Sequence, residues 1–327
     1  MISFVTAAGL GKPLRHLLPQ LRQPARRWTY ERLARRRRVP TGTWIFTDHE
    51  RLSAFELNVA ADVASQLRRA GCRVLNHPAT VRSRMNLLEA LHAAGINAFR
   101  AYRADEQPKP HRFPVFIRRE FDHRGDARAL IGSQPELDAV LAALRAEGVP
   151  LQGRLVIEYA ASEAAPGIWY RGSAYCVGGT VIPHHMALDD HWQVKDGFGK
   201  AALETSARRD HFIAAERDFV MEGGHVDLLR RVFDIAGIDY GRADFGFLGD
   251  RLQVYEINTN PTHGHPARVF GNIHPEREAT LRFSEQRLHE ALDAIDTPGS
   301  GSVALAGPLL AEQRNLFPLL PAGLRRP

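Results

Sequence analysis

Cysteine is scarce in this chain, and long apolar runs are missing from it. The 327 residues include two cysteines, Cys72 and Cys176, whose separation matches neither a metal site nor a redox pair. Such usage is typical of a reducing compartment, where isolated cysteines mostly serve as small buried hydrophobic residues. No apolar run reaches the length of a membrane span, and no apolar core follows a basic start at the N-terminus. The sequence therefore predicts a soluble, cytoplasmic protein without a membrane partner.

Positive charge is distributed unevenly along the chain. The formal net charge is +6, and much of it comes from arginines near the N-terminus: Arg22, Arg26, Arg27, Arg32 and the run 35–38. Three interpretations compete, namely a solvated basic surface, a contact for phosphate or an acidic substrate, and a nucleic-acid surface. No recognised nucleic-acid motif accompanies the arginines, so we favour the solvated surface and treat nucleic acid as the outside alternative.

Strands and helices alternate in the order of an α/β protein. Hydrophobic residues make up 44% of the chain, which is enough for a sizeable core. Apolar strands at 43–47 and 72–76 are each followed by an amphipathic helix, which indicates a small parallel α/β domain. Asp48 is the expected N-cap of the first of these helices, starting near Glu50. The Pro- and Arg-rich residues before 43 are expected to form one or two short helices.

The later segments predict two further lobes. Strands are expected at 113–120 and 154–160, and a hairpin at 173–188 turns at Gly178-Gly179. Single helices are expected at 211–237 and 276–295, and the tail from Thr297 is either disordered or a strap on the body. The predicted division is 1–42 N-terminal segment, 43–98 small α/β domain, 99–160 small lobe, 161–296 large lobe and 297–327 tail.

The segment from Gly241 to Gly264 carries the strongest chemical signal. Asp244 lies on an apolar strand before a Gly249-Asp250 turn, and Glu256 and Asn258 lie on the strand that follows. In such a hairpin Asp244 and Glu256 are nearly opposite each other and can face the same side. Hard oxygen ligands of this kind suit Mg²⁺, and the neighbouring Arg242 suits a phosphoryl group or a developing oxyanion. The alternative is an ordinary hairpin with a solvated polar face.

This segment resembles the metal-binding hairpin of the ATP-grasp superfamily, in a D-x-F…E-x-N-x-x-P form. Its GR-x-D opening looks most like that of D-alanine–D-alanine ligase and its relatives, which include glutathione synthetase and ribosomal-protein glutamate ligase. The resemblance implies an α/β (α+β) ATP-grasp fold, with an N-terminal α/β domain and two lobes clasping ATP. It further implies that Asp244, Glu256 and Asn258 hold Mg²⁺, with Mn²⁺ as an alternative. Arg242 would steady an acyl-phosphate.

The resemblance also assigns nucleotide contacts. Arg118, in the strand FPVFIRRE, stands where the family usually has a lysine on the α- and β-phosphates, which is a departure because Arg offers a planar fork rather than a point charge. The loop FDHRGD, with the single Gly125, takes the place of the glycine-rich phosphate loop. Glu158 and Tyr159 match the adenine-reading hinge, where Glu158 meets the adenine N6 edge or holds a Lys or Arg. Glu163 would reach the ribose hydroxyls, against plain loop solvation as the alternative.

Substrate-side contacts are implied in the same way. Arg171 resembles a phosphate or carboxylate contact, two residues before the place the family uses, where Ser173 stands here. Lys195 and Lys200, in a loop with Gly197 and Gly199, would contact the γ-phosphate. The pairs His184-His185 and His263-x-His265 invite a zinc interpretation, which we do not favour because neither has an obvious third and fourth ligand. His263 alone is a candidate substrate or phosphate contact.

The resemblance implies an ADP-forming ligase that activates a carboxylate as an acyl-phosphate and joins it to an amine. Its partners would be ATP and small carboxylate and amine substrates, among them an amino acid or peptide, and a homodimer is common for this architecture. A kinase acting on a small-molecule hydroxyl and a non-catalytic nucleotide-binding protein remain alternatives. Arg118 and the glycine-poor loop favour the second of these.

Overall fold

The computed structural model describes residues 1–121, 129–194, 206–263 and 274–316. Its strands are β1 (Ile2–Thr6), β2 (Arg26–Thr29), β3 (Arg38–Pro40), β4 (Thr43–Phe46), β5 (Arg73–Leu75), β6 (Ala101–Arg103), β7 (Val115–Arg119), β8 (Arg154–Glu158), β9 (Trp169–Val177), β10 (Thr180–Asp189), β11 (Tyr240–Leu248), β12 (Arg251–Asn258) and β13 (Ser302–Ala304). Its α-helices are α1 (Tyr30–Arg35), α2 (Ala54–Arg69), α3 (Arg84–Ala93), α4 (Gln134–Ala146), α5 (Ser206–Glu222), α6 (Val226–Ala236), α7 (Pro275–Ile295) and α8 (Pro308–Leu316).

The N-terminal sheet is parallel, with the strand order β2-β1-β4-β5. Parallel pairing agrees with the strand–helix alternation of the sequence. The expectation of only short helices before residue 43 was wrong, since β1 is an interior strand of this sheet and β2 is its edge. All five residues of β1 are buried. A strand that is buried on both faces appears in the sequence as a short apolar run without polar–apolar alternation. Periodicity alone does not distinguish such a run from a segment of a buried helix.

The helix α2 begins later than the sequence analysis expected, and its cap is a different residue. Ser53 accepts a hydrogen bond from the backbone N–H of Glu56, whose side chain bonds back to Ser53 in a capping box. The prediction that Asp48 caps this helix was wrong. The Asp48 carboxylate instead accepts hydrogen bonds from the backbone N–H of Ala7 and from Asn260 Nδ2, both at 3.0 Å. Asp48 therefore joins the N-terminal sheet to the chain that leaves β12.

The small sheet is antiparallel, with the order β6-β8-β7. The helix α4 covers one face of it, because Leu137, Leu141 and Leu144 recur at helical spacing and pack against Val115 and Val156. The strands β7 and β8 lie within the ranges predicted as strands, 113–120 and 154–160.

The large sheet is antiparallel, with the order β10-β9-β11-β12. Successive side chains of β9 point to opposite faces of the sheet and pack into two different cores. Ala174 and Cys176 face α3 and α6, while Tyr175 and Val177 face α7. The prediction of a single helix at 211–237 was wrong. Two helices, α5 and α6, occupy this stretch and are separated at Gly223-Gly224, where Gly223 adopts a φ of +76°.

The described part of the tail is a strap on the N-terminal sheet. The strand β13 pairs antiparallel with β3, and Leu310 of α8 joins the core between α1 and α2. Residues 302–316 therefore form a strap, which was one of the two alternatives for the tail after 297.

Together these sheets form a mixed α/β (α+β) protein, which confirms the predicted fold class. The domain boundaries remain a prediction, although β1 and β2 share one sheet with β4. Among the described helices, none combines the length and apolarity that crossing a membrane requires.

Candidate active site

The β11–β12 hairpin sets the predicted carboxylates side by side. Asp244 pairs with Glu256, and Arg242 pairs with Asn258, in the antiparallel register. A bulge follows Asp244, so that Phe245 pairs with Val254 and Tyr255 has no partner opposite it. Asp244 and Glu256 both line the same cleft, as the hairpin prediction requires.

This cleft, of about 170 Å³, lies between the small and the large sheet. Strands β7 and β8 supply one wall, and β9, β11 and β12 supply the other. Its apolar side is formed by Leu88, Phe99, Phe116, Ile157, Trp192 and Tyr255. Its charged lining residues are Arg118, Glu158, Arg171, Asp244 and Glu256. A pocket lined by both aromatic and charged side chains suits a ligand that combines a flat ring with an anionic group.

Each of the two carboxylates is bonded by two arginines. Asp244, whose side chain is 4% exposed, accepts from Arg171 Nη1 at 3.3 Å and from Arg242 Nε at 3.2 Å. Glu256 Oε2 accepts from Arg118 Nη2 at 2.9 Å and from Arg84 Nη2. Four guanidinium groups thus surround two carboxylates, and the cluster carries more positive than negative charge.

Arg84 is a member of this cluster that sequence reasoning missed. It is the first residue of α3, and its Nη1 also donates to the carbonyl of Glu120 at 2.7 Å and to that of Arg119 at 3.1 Å. Burial lowers the pKa of Arg84, while Glu256 acts to raise it. A cation at a helix N-terminus is unfavourable for the helix dipole. An arginine at the start of a helix is therefore the sequence signal that could have indicated a role for Arg84 outside that helix.

Arg242 is held from two sides. Burial opposes the charged form of its guanidinium, yet Asp244 and Tyr175 outweigh burial and the pKa of Arg242 is raised. The Tyr175 ring in turn stacks on His263, with the ring centroids 5.3 Å apart. Arg242 is therefore charged and fixed in orientation behind Asp244.

Asn258 lies beside the cleft rather than on its surface. It occupies the expected register position, two residues from Glu256 on the same strand face. Its Oδ1 accepts the backbone N–H of Asn260 at 2.8 Å. An amide oxygen has a second lone pair, so this bond leaves Asn258 able to act as a ligand. The ligand role of Asn258 stays a prediction.

The hinge contains the buried carboxylate of Glu158 and the half-buried ring of Tyr159. Glu158 is 2% exposed and accepts from Tyr102 Oη and from the backbone N–H of Arg100 and His111, each at 2.9 Å. Arg112 Nε lies 3.3 Å from the same carboxylate. Glu158 therefore holds an arginine and also lines the cleft, and its predicted place at the adenine N6 edge stays a prediction.

Of the other two predicted nucleotide contacts in this region, Tyr159 lines the cleft and Glu163 does not. Tyr159 lines the cleft, and its hydroxyl accepts from Trp169 Nε1 at 2.8 Å. Glu163 is exposed, accepts the backbone N–H of Gly167 at 2.8 Å and does not line the cleft. The structure thus leaves the predicted ribose contact of Glu163 without support.

Trp192 is a second cleft residue that sequence reasoning missed. Its ring lies 5.1 Å from that of Phe116 and 5.7 Å from that of Tyr159, measured between centroids. The aromatic wall of the cleft therefore draws on both lobes. A tryptophan three residues before the predicted lysine loop was the available signal.

The histidines sit behind the hairpin. His263 is 4% exposed, its Nε2 is 2.9 Å from Tyr240 Oη, and its Nδ1 has no hydrogen-bond partner among the described residues. Burial lowers the pKa of His263 to about 3, so the ring is neutral. His184 and His185 are bonded to Ser284 and Ser173 through their Nδ1 atoms. Across the residues with described positions, no group of three or more His, Cys, Asp or Glu side chains could hold a metal.

The described sheets and cleft meet the expectations set by the resemblance. A parallel α/β unit precedes a small antiparallel lobe and a large antiparallel lobe, and the carboxylate hairpin of the large lobe faces the cleft between the two. This is the arrangement that the resemblance to the ATP-grasp superfamily implies.

Comparisons with known proteins give several solved structures to which the chain is similar. The chain is similar to D-alanine–D-alanine ligase from Bacillus anthracis complexed with ATP, at 11% identity and a TM-score of 0.44 over 88% of this chain and 98% of that one. It is similar to a RimK domain ATP-grasp protein from Sphaerobacter thermophilus, at 15% identity and 0.46 over 90% and 99%. It is also similar to the ATP-grasp ligase PsnB complexed with minimal precursor, at 13% and 0.47 over 86% and 98%.

At these identities and TM-scores the neighbours carry no argument about the reaction, and the fold assignment rests on the strand order and the cleft. No protein-family model and no curated protein sequence matches the chain.

Several predicted ATP-grasp contacts lie outside the described residues. They are Lys195 and Lys200 with their glycines, and the phosphate loop around Gly125. Their roles remain predictions.

Proposed function

We propose that the chain is an ATP-dependent, ADP-forming ligase that activates a carboxylate as an acyl-phosphate and joins it to an amine, such as that of an amino acid or peptide. The observation that carries this proposal is the pairing of Asp244 with Glu256 inside a cleft that is also lined by aromatic side chains. Adenine would contact the aromatic side chains, and the triphosphate would contact the charged ones.

The charge balance of the cluster supports a polyphosphate ligand. Arg84, Arg118, Arg171 and Arg242 converge on two carboxylates, so the cluster has a surplus of positive charge. Guanidinium groups bind phosphate oxygens through paired N–H donors. Arg118 lies within the cleft at the position that the resemblance assigns to a phosphate contact, and its fork can fulfil the role of the usual lysine.

The donor set also fits Mg²⁺. Asp244 and Glu256 provide hard oxygen ligands on one surface, and the amide of Asn258 is two residues from Glu256. Mg²⁺ binds through one or two carboxylates and takes its other ligands from phosphates and water. When bound there, the ion would neutralise charge between the phosphates.

The chain's own residues would position and shield the reactants. Arg242 is fixed by Asp244 and Tyr175, which holds its charge in place for an acyl-phosphate oxygen. Arg171 contacts the same Asp244 carboxylate from the neighbouring strand and would hold a substrate carboxylate or phosphate. The aromatic wall from Phe116 and Trp192 excludes water from that side of the cleft. No side chain needs to form a covalent intermediate, since orientation and electrostatics supply the catalysis.

Phosphate release across a panel of amino acids and small peptides, with Mg-ATP and with Mn-ATP, tests this proposal, followed by the mass of the product. The matched variants are Asp244→Asn and Asp250→Asn, which remove one carboxylate from the same hairpin. Asp250 is exposed in the turn, whereas Asp244 is buried in the cleft. We expect Asp244→Asn to lower turnover by about 10²-fold or more and Asp250→Asn to leave it unchanged. Equal turnover in the two variants would remove the basis of the proposal.

One observation favours a second candidate, a nucleotide-binding protein without turnover. Both predicted metal carboxylates are engaged by arginines, an arrangement that binds a polyphosphate without needing a metal. A rise in melting temperature with ATP that is unaffected by EDTA, together with no ADP formed from any member of the panel, would favour this candidate over the ligase.

A further inference from the structure

The N-terminal part of the chain is strongly basic, and the proposed function does not use it. The first forty residues contain nine of the arginines and one lysine, Lys12, against a single acidic residue, Glu31. None of these residues lines the cleft between the lobes. A charge excess of this size at a surface attracts an acidic partner.

The arginines of this part are displayed on the surface. Arg26 and Arg27 on β2, Arg32 on α1, and Arg36 and Arg37 after α1 are all exposed. In the described parts of the chain, Arg26, Arg27, Arg36 and Arg37 form no ion pair with any carboxylate. Their charges are therefore not neutralised by any described carboxylate.

The strand β2 adds an open hydrogen-bonding edge to this charge. It pairs with β1 alone, in a parallel register that sets Arg26 beside Ser3 and Arg27 beside Phe4. Among the described strands none pairs with its other side. An edge strand presents a row of backbone N–H and C=O groups that another extended chain can bind.

Exposed rings, by contrast, are lacking on this surface. Trp28 and Tyr30 are 7% and 8% exposed, and the Arg32 guanidinium lies 5.0 Å from the centroid of the Trp28 ring. Binding of single-stranded nucleic acid relies on exposed aromatic rings for base stacking. Open backbone groups and unneutralised arginines match an extended acidic polypeptide better.

We propose that the β2 edge binds an extended, acid-rich polypeptide segment by strand addition, with its carboxylates contacted by Arg26 on one face of the sheet or by Arg27 on the other. The segment would become a fifth, outer strand of the N-terminal sheet. Arg36 and Arg37 extend the same positive surface beyond α1. This inference is independent of the reaction carried out in the cleft.

Two fluorescent peptides of equal charge test the proposal by anisotropy. One alternates Glu with Val and can pair as a strand, and the other alternates Glu with Pro and lacks the N–H groups that pairing needs. The protein variants are Arg26→Glu/Arg27→Glu and, as a control with the same change in charge, Arg69→Glu/Arg145→Glu. Arg69 and Arg145 are exposed helix residues at other sites. Far-UV circular dichroism and melting temperature verify that both variants fold.

We expect the Glu-Val peptide to bind about tenfold or more tightly than the Glu-Pro peptide. The Arg26→Glu/Arg27→Glu variant should lose that binding, and the control variant should retain it. Equal binding of the two peptides would show charge attraction without strand addition and overturn the proposal. Tighter binding of a DNA or RNA oligonucleotide, lost in the same variant, would assign the surface to nucleic acid instead. Absence of Glu-Val binding at low salt would also refute it.

Discussion

Replacing Asn76 with alanine is expected to weaken the junction between the parallel sheet and the strand that carries Arg242 and Asp244. Asn76 follows β5 and is 1% exposed. Its Nδ2 donates to the carbonyls of Phe46 and Tyr240 at 3.0 and 2.7 Å. Its Oδ1 accepts from the backbone N–H groups of Asp239 and Tyr240, both at 2.9 Å. One side chain therefore satisfies four backbone groups of two different sheets.

The magnitude follows from these four bonds and from the backbone of Asn76. A hydrogen bond in a protein contributes about 0.5–1.5 kcal/mol net, so the loss of four corresponds to about 2–6 kcal/mol. Asn76 also has a φ of +53°, a left-handed conformation in which alanine costs about 1–2 kcal/mol. We expect Asn76→Ala to lower the free energy of unfolding by about 3–8 kcal/mol. Asn76→Gly loses the same bonds without the backbone cost and should be about 1 kcal/mol less destabilised.

Urea unfolding followed by circular dichroism and tryptophan fluorescence measures this loss as a shift in midpoint. Asn86→Ala is the control, because Asn86 is exposed on α3 and alanine is the better helix former there. A loss below about 1 kcal/mol for Asn76→Ala would refute the bridging role. Equal losses for Asn76→Ala and Asn76→Gly would refute the contribution of the positive φ.

Three further perturbations test the site and the fold. Glu256→Gln removes the carboxylate that Arg84 and Arg118 share, and should lower stability by about 2–4 kcal/mol. Added tripolyphosphate should raise the melting temperature of this variant more than that of the wild type, and an equal rise would contradict the surplus of positive charge. The depressed pKa of His263, about 3, lies below its unfolded value near 6.5. The stability that the neutral His263 contributes above pH 6.5 should therefore be lost as the pH falls towards 3. In the His263→Gln variant the melting temperature should fall less over this pH range. An unchanged dependence of the melting temperature on pH would exclude His263 as the cause of the loss. Ser53→Ala removes the N-cap of α2 and should lower the free energy of unfolding, measured in urea, by about 1 kcal/mol. An unchanged free energy would contradict the capping box.

The hairpin and the strands around it could be read from the sequence because their signals are local. Apolar runs that end at Gly178-Gly179 and at Gly249-Asp250 mark the turns of two antiparallel pairs, and both turns form as expected. A strand period of two then places Glu256 and Asn258 on one face without any knowledge of the rest of the chain. Family resemblance pointed to the same residues.

Other features could not be read because competing local signals were equally good. Asp48 and Ser53 are both suitable N-caps, and Asp48 was unavailable because its carboxylate bonds Asn260, far away in sequence. The break between α5 and α6 lies at Gly223-Gly224 inside a stretch with continuous helical spacing. The strand β1 is buried on both faces and so lacks alternation.

The amino-acid sequence by itself determined the oxygen and guanidinium groups of the hairpin and the face on which they lie, since backbone geometry over a few residues is enough for that. Only the tertiary structure decided that Arg84 joins Arg118 on Glu256, that Trp192 completes the aromatic wall, and that Glu158 holds Arg112. These contacts join segments distant in the chain. Their partners are chosen by how the sheets pack, which no local pattern records.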